Sequence, residues 1–235
     1  MMKKLKVKVV AEDKSKYCYS NGFLINKKGI RDAKVLDAFS RDVTTFRISQ
    51  LAYDKTVIND FFKSSDYLNL HKFLFNDIFP FAGEIRDEVI YKSNEPYFTG
   101  DFNKTSIFAM PNSIVLQLEY NLSLMQKQAR GINSRDSLLD YLSYFYGELN
   151  IIHPFREGNG RTLRTYLKLL VDYLNRYFPP EMGELELDYS LWDLVDREEL
   201  LKSTIICNVT CNCSYIRDCF DKVLVEKELS RRKRK

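Results

Sequence analysis

Residues 150–164, "NIIHPFREGNGRTLR", interrupt two helical stripes with an unusual concentration of conformationally special and charged side chains. Before them, Leu138, Leu139, Leu142, Phe145, Tyr146 and Leu149 recur at i, i+1, i+4, i+7, i+8 and i+11, the buried face of a helix over residues 137–149. After them, Leu163, Tyr166, Leu167, Leu170 and Leu174 fall at i, i+3, i+4, i+7 and i+11, a second helix starting at about Gly160. The stretch between reads as a tight turn. It holds one of the chain's two histidines, a Pro, an acid and two glycines bracketing an asparagine.

That turn has chemistry available. Gly158 and Gly160 permit backbone conformations closed to residues with a Cβ, and let an anion approach the main chain. The first N–H groups of the following helix have no intrahelical acceptor, and the helix dipole is positive there. A glycine-rich turn feeding a helix N-terminus is a generic phosphate cradle. Arg161 and Arg164, three apart, share one side of that helix and can each grip phosphate oxygens bidentately. Glu157 beside such a cradle suits Mg²⁺, which takes one or two carboxylates plus phosphate oxygens. His153, with an ordinary pKa of about 6.5, can take a proton from a hydroxyl at neutral pH. Base, metal ligand and anion cradle together suggest nucleotide-dependent group transfer to a hydroxyl. Gly-Asn-Gly alone would fit an ordinary helix–helix connection equally well.

The rest of the chain supplies a mainly helical frame. Its 235 residues are 45% hydrophobic with 16 Phe and 15 Tyr, ample for a core, while 9 Gly and 6 Pro argue against a turn-rich β sandwich. Asp32 is a plausible N-cap for a helix whose apolar positions are Val35, Leu36, Phe39, Val43, Phe46, Ile48 and Leu51. Further helices are expected near residues 65–79, 112–130, 191–207 and 213–229. Between the second and third, β-branched and aromatic clusters flank Ser93, Asn94, Pro96, Gly100, Asp101 and Asn103, an irregular β-hairpin and the one convincing strand pair.

A net charge of +4 is mild and sits largely at the ends, "MMKKLKVKVV" and "RRKRK", so no nucleic-acid partner is indicated. No stretch approaches the roughly 20 apolar residues of a membrane helix, and residues 1–20 lack a signal-peptide pattern. The five cysteines (Cys18, Cys207, Cys211, Cys213 and Cys219) lack paired metal-site spacing and read as reduced thiols of a cytoplasmic protein. Translocation as an effector stays open.

"HPFREGNGRTLR" resembles the signature of the Fic family, H-P-F-x-(D/E)-G-N-G-R-x-x-R, at every specified position. "LHKFLFNDIFPFAGEIR" is similar to that family's helix leading into its flap hairpin, and "YSNGFLINKKGIRD" to an N-terminal segment of bacterial members. The resemblance implies a mainly α Fic-domain fold over about residues 17–225 with one inserted β-hairpin flap at about 84–110. A basic arm or strand (1–16) and a basic tail (226–235) flank it. It implies AMP transfer from ATP, with Mg²⁺, to a Ser, Thr or Tyr hydroxyl of a target protein docked on the flap.

His153 would be the general base, Phe155 the loop anchor and Glu157 the Mg²⁺ ligand. Gly158, Asn159 and Gly160 would form the anion hole, and Arg161 and Arg164 would bind the β- and γ-phosphates. Gly160 separates the chain from the phosphate-transferring Doc branch, which has Lys there, and Gly158 from the phosphocholine-transferring branch. The family's inhibitory S/T-x-x-x-E-G/N motif is absent, because Glu157 is the one Glu followed by Gly or Asn and His153 stands four residues before it. Restraint would then come from a separate antitoxin-like protein, or be lacking. Two other readings stand beside this one: a transferase of another nucleotide or phosphoryl group, and a nucleotide-sensing binding module. His71, near the flap, is expected to be structural.

Overall fold

The computed structural model describes residues 15–54, 56–93, 105–188, 190–191, 195 and 197–227. Among them are seven α-helices: α1 (Ala33–Gln50), α2 (Ser64–Phe75), α3 (Ile114–Ala129), α4 (Arg135–Ile152), α5 (Asn159–Leu174), α6 (Arg197–Thr210) and α7 (Ser214–Asp221). α4 is the hub, packed against α3, α5, α6 and α7, while α2 packs against α1, α3 and α5. The stripe read from the sequence is fully inside, with Leu138, Leu139, Leu142 and Phe145 at 0% exposure. Burying each such side chain contributes about 1.5–3 kcal/mol, so this helix anchors the fold. α3 lays Ile114, Leu118, Leu122 and Met125 against it, and Tyr141 of α4 donates its hydroxyl to the Met125 carbonyl (3.0 Å).

Local signals set several helix starts. Asp32 caps α1, its Oδ1 accepting from the N–H of Lys34 and Val35 at 2.8 and 3.0 Å. Ser134 and Ser137 form a reciprocal capping box at the start of α4. Most of the expected stripe faces the core: Leu36 and Leu51 are buried, and Phe39, Val43 and Ile48 pack against it. Val35 and Phe46 are exposed, and the buried positions of α1 are Leu36, Ser40 and Thr44. α2 stops at Phe75, earlier than residue 79, and the N–H groups of Ile78 and Phe79 share the Phe75 carbonyl in the turn beyond it.

The expected hairpin is present as β1 (Tyr91–Ser93) and β2 (Thr105–Ile107), antiparallel with Tyr91 opposite Ile107. Its expected turn residues Asn94, Pro96, Gly100, Asp101 and Asn103 lie outside the described residues, as do residues 1–14 and 228–235 of the two basic ends. A second strand pair corrects the sequence reading. β3 (Leu185–Leu187) pairs antiparallel with β4 (Leu224–Glu226), so the last helix ends at Asp221 instead of running to residue 229. The strand wins because Val223 and Leu224 bury against the core there, and the Asp188 N–H finds the Val223 carbonyl at 2.9 Å. α6 likewise begins at Arg197, not at residue 191.

The reduced-thiol expectation is corrected for two cysteines. Cys207 and Cys213 form a disulfide across the α6–α7 turn, their Cα atoms 4.7 Å apart. Cys211, in the turn between them, adopts φ 57°. Cys18, Cys211 and Cys219 are free. Gly147 of α4 faces the bridge, and a Cβ there would lie 2.5 Å from Cys207 Sγ. Among the described residues, no helix is long and apolar enough to cross a membrane.

His71 ties α2 to the segments around it. Its Nδ1 accepts from the Gly83 N–H (2.8 Å), so its Nε2–H donates to the Glu157 carbonyl (2.9 Å). Burial pushes its pKa down to about 3, keeping the ring neutral.

Two outcomes follow from this packing. Gly147→Ala should lose about 1–2 kcal/mol through overpacking, lowering Tm by roughly 2–8 °C. An unchanged or raised Tm would show that α4 and the bridge are not in contact. Because the folded His71 pKa lies below the unfolded value of about 6.5, its contribution is complete above that pH and is lost as pH falls toward 3. The Tm advantage of the wild type over His71→Gln should therefore shrink between pH 7 and pH 5. Carboxylates common to both proteins cancel in that difference, so a constant gap would contradict a ring held neutral.

Candidate active site

The loop between α4 and α5 is fastened from below by aromatic stacking. Phe155 is fully buried. Its ring lies 3.7 Å from that of His71, nearly parallel, and 5.9 Å from that of Tyr67 on its α2 neighbours' face. His71 stacks in turn on Phe75 at 4.7 Å. Asn159 closes the loop on itself: its Oδ1 accepts from the Phe155 N–H (2.9 Å) and its Nδ2 donates to the Phe155 carbonyl (2.7 Å). That side chain is a brace, so any part Asn159 plays in an anion cradle falls to its main-chain N–H.

Gly158 is the N-cap of α5 with φ 85°. A Cβ there would stand 2.5 Å from Cζ of Phe75, so the position is closed to side chains both by backbone geometry and by space. Glu157 accepts from the Gly158 N–H through Oε1 (3.0 Å), and the same oxygen lies 3.6 Å from Arg161 Nη2. The carboxylate thus sits at the positive end of α5, where the dipole favours it.

Arg161 and Arg164 both rise from the first turns of α5. Arg161 lies over the Phe75 ring, 4.8 Å from its centroid. Its Nη1 donates to Ser40 Oγ (2.6 Å) and is 3.4 Å from Thr44 Oγ1. Burial lowers its pKa while the Glu157 carboxylate acts in the opposite direction. Here the buried polar positions of α1 find their purpose: hydroxyls, not apolar groups, face α5. Gly160 leaves room beside Arg164, whose Nη1 would be 3.1 Å from a Cβ at that position.

His153 ends α4 in the left-handed conformation, φ 48° and ψ 60°. The residue is buried, at 5% exposure. Its Nδ1 is 3.1 Å from the Asn150 carbonyl, which can only accept, so Nδ1 carries the proton of that bond and, in a neutral ring, Nε2 is the basic nitrogen. The ring stacks on Phe108 at 3.9 Å, next to strand β2. Two arginines outside the predicted set support this end of the loop. Arg156 is 3.7 Å from Cys18 Sγ and 3.9 Å from Glu88. Arg86 is 1% exposed and donates to main-chain carbonyls, among them that of His153 (2.7 Å). Burial pushes the Arg86 pKa down to about 10, leaving it charged at neutral pH. Nothing in the hydropathy pattern marks Ser40, Thr44 or Arg86. The only hint was Arg86 standing inside the "AGEIR" stretch.

The structure therefore brings together on one loop and helix start His153, Glu157, Gly158, Asn159, Gly160, Arg161 and Arg164. The two upstream segments meet beside it. The Tyr17 hydroxyl donates to Asp87 (3.0 Å), its ring packs edge-on against Phe81, and the Lys27 N–H donates to the Ile78 carbonyl (2.8 Å). Residues able to hold a divalent cation are few. Among those described no cluster of three or more His, Cys, Asp or Glu exists, and Glu157 at the start of α5 is the one carboxylate of this loop that could contribute to an Mg²⁺ site.

Comparison with known proteins agrees with this geometry. Residues 61–171 match the Fic/DOC family. The chain is 29% identical over 185 residues to protein adenylyltransferase VbhT of Bartonella schoenbuchensis, spanning 78% of this chain but only about a third (34%) of that relative's length. It is 30% identical over 176 residues to probable protein adenylyltransferase y4lH of Sinorhizobium fredii, spanning 73% of this chain and 80% of the relative. The fold is shared with BepC of Bartonella tribocorum, a VirB-translocated effector solved with bound AMPPNP (TM-score 0.72, 18% identity, 92% of this chain and 100% of that one). A motif matched at every specified position, a loop held by the helices on either side of it, and a relative matched over four-fifths of its length make this chain a member of the Fic/DOC family.

Proposed function

We propose that this chain is a protein adenylyltransferase that moves AMP from ATP to a Ser, Thr or Tyr hydroxyl of another protein, and that residues 17–225 carry the activity. The observation that carries this reading is the tautomer of His153, whose Nδ1–H is committed to Asn150, at the end of a loop that leads straight into the glycine-started α5. Nε2 takes the proton of the target hydroxyl as its oxygen attacks the α-phosphorus. The bond from the α-phosphorus to the bridging oxygen breaks, and pyrophosphate leaves. The main-chain N–H groups at the start of α5, from Gly158 through Gly160, cradle the phosphates, and Arg161 and Arg164 clamp their outer charges. Arg161 arrives pre-positioned by Ser40 and Thr44, which lowers the ordering cost of binding. Glu157 would hold Mg²⁺, which when bound offsets phosphate charge. The names of the relatives and the AMPPNP-bound neighbour support ATP as the nucleotide.

The hairpin β1–β2 would clamp the target's backbone by strand addition, placing its hydroxyl near the His153 ring that Phe108 backs. Restraint under this reading would come from a carboxylate of a separate antitoxin-like protein at Arg164, or would be lacking. A cytoplasmic enzyme, or one delivered as an effector, would meet protein targets in either setting.

Incubation with α-³²P-ATP, Mg²⁺ and a cell lysate, followed by mass spectrometry, should show added AMP on hydroxyl side chains. His153→Ala should cut transfer about 10²–10⁴-fold with ATP affinity within about threefold of wild type. Transfer that survives in this variant would remove His153 as the base. Gly158→Ala should raise the Kd for ATP about tenfold or more, since a left-handed residue with a Cβ costs about 1–3 kcal/mol even before the contact with Phe75. Unchanged ATP affinity would separate the cradle from nucleotide binding.

A further inference from the structure

Arg86 is the largest fully buried side chain among the described residues. Burying a cation costs several kcal/mol unless its donors are well matched. Every hydrogen bond its guanidinium makes among the described residues goes to a main-chain carbonyl: His153 (2.7 Å, from Nε), Glu88 (2.6 Å, from Nη1), and Ala109 and Ile152 (2.6 and 3.3 Å, from Nη2). Among the described residues, none of these bonds goes to a carboxylate.

The choice of these four carbonyls is informative. Ile152 and His153 are at the C-terminal end of α4, where the dipole is negative and a cation is favoured. Glu88 lies on the segment entering the hairpin and Ala109 on the segment leaving it. Main-chain bonds complete the seam: Arg86 N–H to the Pro154 carbonyl (2.9 Å) and Ala109 N–H to the Ile151 carbonyl (3.0 Å). At the centre stands His153, a non-glycine residue at positive φ. That conformation costs about 1–3 kcal/mol and persists only when its surroundings enforce it. Closing a hairpin does not require a buried cation. Holding the end of a helix in a strained conformation against two chain segments at once does call for a forked, multi-donor group.

We propose that Arg86 is a positioning residue for AMP transfer, locking the backbone of His153 and both feet of the hairpin into one unit so that base and docked hydroxyl keep a common register. This inference rests on His153 being the base. Its test can be read without knowing the target, because the chain has only two histidines, and their hydrogen bonds select opposite tautomers: Nδ1–H for His153 and Nε2–H for His71.

Imidazole ¹⁵N–¹H correlation spectra of the full chain should show both patterns in the wild type. In Arg86→Gln the His153 pattern should collapse toward a tautomer average while that of His71 is retained. AMP transfer from α-³²P-ATP to lysate proteins should fall about 100-fold, the scale expected of a roughly 1 Å misplacement, with ATP affinity within about threefold. Arg86→Lys, which keeps the charge but not the fork, should show the same changes at about a tenth of the size. The proposal is overturned if either variant keeps the wild-type His153 pattern and transfer rate, or if both histidines lose their patterns together, as a general loosening would cause. If Arg86→Gln does not fold, Arg86→Lys alone decides. A wild type without transfer would sink the adenylyltransferase reading, while the spectra would still judge the grip of Arg86 on His153.

Discussion

Everything in the site stands on the stack of Phe155 against His71. The two rings lie 3.7 Å apart and nearly parallel, at the place where the loop after α4 meets the aromatic face of α2. From that contact the rest follows outward. His71 holds the Glu157 carbonyl on one side and the Gly83 N–H on the other, so one neutral ring sets the loop, the entry to the hairpin and α2 relative to each other. Phe75, the next ring in the column, presses on Gly158 and carries the guanidinium of Arg161. The loop can hold unusual backbone angles at His153 and Gly158 because a rigid apolar floor leaves it no room to relax.

Electrostatically, the loop joins the negative end of one helix to the positive end of the next. The α4 end receives a buried cation, Arg86, on its last carbonyls. The α5 end receives a carboxylate, Glu157, and under the proposed function the phosphates of a nucleotide. His153 and the start of α5 are therefore neighbours along the chain yet occupy ends of opposite polarity. Arg86 offsets the partial negative charge behind His153. α1 holds the Arg161 guanidinium in place through the hydroxyls of Ser40 and Thr44, while the Glu157 carboxylate lies on its other side.

Short-range signals carried much of this into the sequence. Asp32 could be recognised as a cap because an N-cap acts within three residues, and the α4 stripe because its period repeats over three turns. The loop was legible because its residues lie next to one another and each has a special chemistry. By contrast, β3 and β4 are three residues long and far apart in the chain, too short for alternation to register. The Cys207–Cys213 bridge depended on how the α6–α7 turn folds back.

The sequence by itself determined a mainly helical chain, one hairpin, and a stretch bearing a histidine, an acid, two glycines and three arginines, since periodicity and local chemistry are properties of adjacent residues. Tertiary structure alone decided that Ser40 and Thr44 meet Arg161 and that Arg86 reaches the end of α4. Those contacts join residues many turns apart, and hydrogen bonds to main-chain carbonyls leave no trace in side-chain pattern, because every residue carries the same carbonyl.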